Sequence, residues 1–353
     1  MFTREEFDKF VEHNIKSHLP LEYQNVEIIR RTAYKENIGE RSMLEVRGEG
    51  ETIASLHSLD DAFEAYQENN DIFTVMEKLA ERIEYRQERK AEIEEKADLR
   101  NLLDYTFVKE RLQMRLYDPA ANPDIEEKRV VSELEDYAIT YRINLGDIEE
   151  FSASVAVTKQ MQNAWSISTE QLHQDALRVN AEWNQPMLLD MLDYVMDGLF
   201  GNGEMHNLIN QESLAKYSAY VLTNTKIEYG AAIITDSALL EKIGQMLGTN
   251  YVLLPSSVHE FFIVPDTMKV GNLKDLKQFI DQVNLTEVAP EDRLSNKILY
   301  YDRTTGRLEN AEKREERMLL QKEKKELENP VSFEEKRKEK AAVRLKTSFG
   351  RRI

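Results

Sequence analysis

The chain contains no cysteine in 353 residues, which excludes disulfides, thiolate metal sites and a cysteine nucleophile and fits a reducing compartment. It also lacks any apolar run of spanning length. Its start, MFTREEFDKFVEHNIKSHLP, has neither a basic n-region nor an apolar h-region. These absences predict a cytoplasmic protein with no membrane association. Several enzyme signatures are missing too: there is no phosphate-cradling Walker loop, dinucleotide fingerprint, paired-histidine zinc motif or Gly-x-Ser-x-Gly elbow. His13, His18, His57, His173 and His206 are scattered without ligand spacing, so neither a metal nor another cofactor is expected.

What the chain does hold is ample core material and an uneven charge. Apolar residues make up 41% and aromatics 8%, enough to offset chain entropy over most of its length. From Arg307 onward, 15 basic and 10 acidic residues give +5, which leaves −23 on the preceding 306 residues to reach the net −18. The body should repel nucleic acid. One basic patch stands apart at the end, where Lys336, Arg337, Lys338, Lys340, Arg344, Lys346, Arg351 and Arg352 face Glu339 alone. Nucleic acid is expected to reach the protein only through that patch.

Hydrophobic periodicity predicts an α+β fold of repeated strand-strand-helix units, forming sheets covered by helices, with a charged helical C-terminal tail. The first helix carries a Thr3/Glu6 capping box and an apolar face of Phe7, Phe10, Val11, Ile15 and Leu19, and Pro20 ends it. Short strands at 26–34, 42–46 and 52–57 precede a helical stretch through Phe63 to Ile83, which runs on into an exposed charge run. Another helix is expected over 102–117, before the loop DPAANPD at 118–124. Three modules follow, with strand pairs at 137–145 and 152–159, 219–223 and 227–234, and 251–254 and 261–264, each followed by a helix. A further helix over 187–200 brings Met187, Met191 and Met196 near Met205; methionine suits adaptable surfaces as well as cores, and the expectation is core. The resulting units are 1–118, 125–303 and a tail at 304–353. The tail has too few apolar residues to fold by itself, so truncation after Asp302 is expected to leave the body's thermal transition unchanged.

The stretch with most chemistry is Pro255-Ser256-Ser257-Val258-His259-Glu260, at the junction of two expected strands. Ser256, Ser257, His259 and Glu260 are the candidate catalytic residues. In extended geometry Ser257 and His259 share a side. Proline followed by two serines is also ordinary turn chemistry, and a nucleophile needs an orienting acid and oxyanion donors that a sequence cannot identify. Asn224 starts a turn at what could be the same sheet end. Asn224, Pro255, Ser256, Ser257 and His259 are therefore the candidate binding residues.

Several spaced motifs carry a resemblance: Tyr220-Val221-Leu222-Thr223-Asn224, Gly230-Ala231-Ala232, Leu254 to Glu260, and Ala289-Pro290-Glu291-Asp292-Arg293-Leu294-Ser295. Phe7, Leu19-Pro20, Lys35, Asn37 and Gly39 add to it. Over about 1–303 the chain resembles a domain-of-unknown-function family of Gram-positive (Firmicutes, gut Clostridia) bacteria. The resemblance implies a cytoplasmic accessory protein, often associated with mobile elements, and no particular activity; the tail after Asp302 departs from the pattern. The leading expectation is a non-enzymatic accessory or protein-interaction factor with a protein partner. The alternatives are a hydrolase-like enzyme using Ser256 or Ser257 with His259, and an acidic inhibitor that mimics nucleic acid.

Overall fold

The structure is a computed structural model that describes residues 1–49, 51, 54–96, 99–148, 151–201 and 205–328. The basic residues Lys336, Arg337, Lys338, Lys340, Arg344, Lys346, Arg351 and Arg352 lie outside the described residues. Among the described residues no helix is long and apolar enough to cross a membrane.

The chain is α+β. It opens with the helix Arg4–Asn14, whose capping box is formed in full between Thr3 and Glu6. Phe7, Val11 and Ile15 turn from this end of the chain into a first core. An antiparallel sheet of β1 (Glu27–Lys35), β2 (Gly39–Arg47) and β3 (Ser55–Ser58) closes that core, with the helices Leu59–Asn69 and Ile72–Lys96. Among the described residues it draws only on those up to Ile83.

The second sheet contains β4 (Leu112–Tyr117), β5 (Val131–Leu134), β6 (Tyr137–Ile148) and β7 (Phe151–Ala156), with β6 pairing to all the others. The first of these corrects the end of the expected helix over 102–117: Tyr105–Val108 is helical, with 3-10 turns at Leu99–Leu103 and Lys109–Arg111, but the chain is extended from Leu112. Leu112, Met114 and Leu116 are buried while Gln113 and Arg115 are less so, an alternation that suits a strand, and β4 pairs with β6 from Leu112↔Ile143 to Tyr117↔Ala138. The strand before the proline-bearing loop thus pairs with a strand after it.

A third sheet contains β8 (Pro186–Asp190), β9 (Tyr220–Asn224), β10 (Tyr251–Pro255), β11 (Phe261–Pro265), β12 (Leu299–Asp302) and β13 (Arg307–Asn310). Its order is β13-β12-β10-β11-β9-β8, antiparallel throughout. Tyr251, Leu253 and Phe261 face the main core shared with the second sheet, while Val252, Leu254 and Val264 pack with Leu276 and Ile280 of the helix Leu273–Thr286. Covering both faces explains the unbroken apolar run YVLLP in β10.

Three further expectations change. Residues expected as a strand at 227–234 form a 3-10 turn, Gly230–Thr235, because the chain reverses at Asn224. Residues expected as one helix from 187 divide into β8, where Leu188 and Leu189 are buried, and the helix Met191–Phe200, capped by Asp190. The tail does not begin free of the body: β13 pairs with β12, Ala311 is buried in the third core cluster, and Arg314 stacks over the Tyr300 ring at 3.7 Å. The helix Ala311–Glu328 continues from there.

Candidate functional site

Four of the quoted motifs, those at 220–224, 230–232, 254–260 and 289–295, meet at one end of the third sheet. β9 ends at Asn224, which is buried, and its side chain organises the reversal that follows: Nδ2 donates to the Glu228 carbonyl at 2.8 Å, and Oδ1 accepts from the Lys226 and Glu228 N–H groups at 3.0 and 3.2 Å. Ile227 and Tyr229 adopt left-handed backbone with φ of 52° and 50°, a conformation that bulky residues hold only when their surroundings demand it. Gly230 then passes so close to β9 and the next loop that a Cβ there would sit 2.5 Å from the His259 carbonyl oxygen and from Thr223 Oγ1. Only glycine fits that approach.

The loop between β10 and β11 carries the remaining candidates. Pro255 ends β10 opposite Phe261, and Ser256, Ser257 and Glu260 are buried. Ser257 Oγ donates to Glu260 Oε1 at 2.9 Å and accepts from the His259 backbone N–H at 3.0 Å, which closes the loop locally. The His259 ring is held from both sides. Nδ1 accepts from the Tyr229 N–H at 3.0 Å, which places the ring proton on Nε2, and Nε2 lies 3.3 Å from Asp292 Oδ1. The ring also contacts the Tyr229 ring, with centroids 5.4 Å apart.

Two neighbours extend this bracket. Val258 donates its N–H to the Asp292 carbonyl at 2.8 Å, which ties the loop to Ala289–Ser295, and the hairpin tip of the first sheet reaches the same segment through Asn37 Nδ2 to the Glu291 carbonyl at 2.9 Å. Asn37, itself left-handed, is further held by Asn122, whose Oδ1 accepts from the Asn37 N–H at 2.7 Å. On the other side, burial first and then the Glu260 charge push the Tyr194 phenol up to about 12, which places Tyr194 of the helix Met191–Phe200 in the field of this loop.

The arrangement has clear chemical consequences. A serine nucleophile needs a histidine nitrogen with a free lone pair to take its proton. Here the lone pair of Nδ1 accepts a backbone N–H, Nε2 faces a carboxylate, and Ser257 Oγ is bonded to Glu260 and to main chain. No hydrogen bond from either serine to the His259 ring forms among the described residues. A cavity of about 300 Å³ at this end is lined by Asn180, Asn184, Asn224, Tyr229 and Gly230, and neither Ser256, Ser257 nor His259 lines it. The structure therefore brings Asn224, Ser257, His259 and Glu260 into one connected junction, with Pro255 and Ser256 at its buried base. Thr223, Tyr229, Tyr194 and Asp292 were missed as its members. Asp292 stood within a recognised motif, but nothing local in the sequence marks a left-handed tyrosine.

An α+β protein with three antiparallel sheets and a buried loop junction is thus defined. Residues 4–303 match the model of DUF5688, a family of unknown function, and the chain belongs to that family. The resemblance drawn from the motifs, to a domain-of-unknown-function family over most of the chain, agrees with this span. No curated protein and no solved structure matches the chain.

Proposed function

We propose that this protein is a non-enzymatic protein-interaction factor, and that its binding surface is the outward face of the helix Met191–Phe200. One observation carries the reading. Leu192, Val195, Met196 and Leu199, spaced i, i+3, i+4 and i+7, are 67%, 45%, 45% and 69% exposed, whereas Met191, Tyr194 and Asp197 are the less exposed positions. A helix this apolar ordinarily turns its stripe inward, and the sequence led to the same expectation for Met196; here the stripe faces out. The methionine adds an adaptable contact.

The partner surface that fits is an apolar helical segment with a basic rim. Asp193 borders the stripe on one flank, with Asp197 and the capping Asp190 further round the same side, and no lysine or arginine occurs from Gln185 to Gly201. The body's −23 charge would also steer a basic partner toward it. The loop Ser256–Glu260 then has a supporting role, since Glu260 anchors Ser257 and acts on Tyr194 at the underside of the helix.

The test is a titration with a synthetic amphipathic helical peptide that has leucines on one face and lysines at its rim. Wild type is expected to bind it saturably, and Leu192→Asp with Leu199→Asp to abolish binding without a change in circular dichroism. Absence of binding would sink the reading. So would sedimentation showing that the same substitutions merely dissolve a dimer, because the occupant would then be a second copy of the chain.

A further inference from the structure

Three arginines gather on the side of the second sheet that faces away from the main core. In β4, Leu112, Met114 and Leu116 enter that core, so Gln113 and Arg115 take the opposite face. Arg115 stands opposite Thr140 of β6, two residues from Arg142, and both arginines therefore project from the same side. Arg129, bridged to Thr158, adds a third guanidinium within the field of Arg142.

Their counter-charges are incomplete. Glu36 pairs with Arg129 and lies 3.9 Å from Arg142, and Arg142 spends Nε and one Nη on Ser154 Oγ and the Ser154 carbonyl at 2.9 and 3.0 Å. Arg115 has no side-chain hydrogen bond and no ion pair among the described residues. Its guanidinium lies over the Tyr229 ring, 3.4 Å from the centroid, and its Nε is buried without a partner. Burial and the adjacent Arg142 charge push Arg115 down to about 10, against weaker opposing fields from Tyr229, Glu228 and Asp292. Asp292 faces His259, and Glu228 acts on Arg115 only through its field.

A desolvated guanidinium normally pairs with an anion, and its planar fork suits two oxygens of one group. The Tyr229 ring sets the plane of Arg115 from one side and leaves its Nη donors unpaired. Among the described residues Glu36 is the carboxylate in ion-pair contact with these guanidiniums, while Glu228 and Asp292 act on Arg115 only through their fields, so the Nη donors of Arg115 stay open to the oxygens of a phosphoryl group. We propose that Arg115 and Arg142 form a binding site for a phosphoryl group, with Tyr229 as the platform that positions Arg115. This site is independent of the exposed helix. It also gives the left-handed Tyr229, and the Asn224 turn that produces it, a role in ligand binding.

The experiment is thermal unfolding of the full chain in millimolar inorganic phosphate, in phenyl phosphate and in sodium chloride of equal ionic strength, for wild type, Arg115→Met and Arg142→Met. Wild type should melt higher in a phosphoryl compound than in chloride. Arg115→Met should lose that rise, and should melt in chloride at or above wild type because it removes a guanidinium whose Nε is buried without a hydrogen-bond partner. Arg142→Met should weaken phosphate by about tenfold or more, and it carries the decision if Arg115→Met fails to fold. A larger rise with phenyl phosphate assigns the site to an organic phosphate, a larger rise with inorganic phosphate assigns it to the free ion, and either supports the proposal. A wild type that melts no higher in phosphate than in chloride overturns it. A rise retained in both variants does so too, because it would be the general effect of an excluded salt.

Discussion

His57 on β3 is 3% exposed, and its ring is bonded to Ser55 Oγ at 2.9 Å. Burial first, then the charges of Arg86 and Arg82, push its pKa down to about 3. The unfolded chain takes up this proton near pH 6.5, so the neutral form contributes its full stability above that value. As pH falls from about 6.5 toward 3 the unfolded state binds a proton that the native state refuses, and stability drops by at most about 1.4 kcal/mol per pH unit. Wild type should therefore lose more urea-midpoint stability between pH 7.5 and 4.5 than His57→Gln, and equal losses would show that His57 does not titrate across the transition. At this scale the sequence was most legible where chemistry is local. Asn224 and Ser257 form the turn bonds that their residue types suggest. Tyr229, Thr223 and Arg115 were not legible, because their roles arise from residues 30 or more positions away in the chain or from a backbone angle that a tyrosine does not advertise.

Among the elements, helices with caps could be read directly. Arg4–Asn14, Thr169–Trp183 and Leu273–Thr286 begin at Thr3, Ser168 and Asn272 as their capping residues suggest. Elements that depend on tertiary partners could not. β4 needs β6, β8 needs β9, and the helix Met191–Phe200 has a strongly apolar sequence although four of its large side chains face solvent. The strand β13 is the clearest case, since a charged segment was expected to be separable. Glu309 is buried and accepts from Arg317 Nη2 at 2.5 and 2.7 Å, while Asn310 caps the following helix through the N–H groups of Glu312 and Lys313. Truncation after Asp302 removes the edge strand and these partners and exposes Leu299 and Tyr301, so the melting temperature should fall by several degrees, or about 1–3 kcal/mol. An unchanged transition would mean that β13 contributes nothing to the sheet's stability.

Across the whole molecule, the separated motifs behave as parts of one junction. Asn37 in the first sheet, Asn122 after β4, Asp292 before β12 and His259 between β10 and β11 are linked by a continuous set of hydrogen bonds and one close imidazole–carboxylate contact. The sequence placed Asn37, His259 and Asp292 in one set of motifs and read the loop of Asn122 only as a boundary; their convergence depends on sheet topology, which local patterning does not encode. The junction supports a helix that offers an apolar face with an acidic flank, and the proposed binding runs through that face. Hydrogen exchange of the full chain, with and without the lysine-rimmed peptide, tests it most directly. Exchange should slow across Met191–Phe200 with little change in the already buried Ser256–Glu260 loop; unchanged exchange in that helix, or protection confined to other elements, would rule out binding through this face.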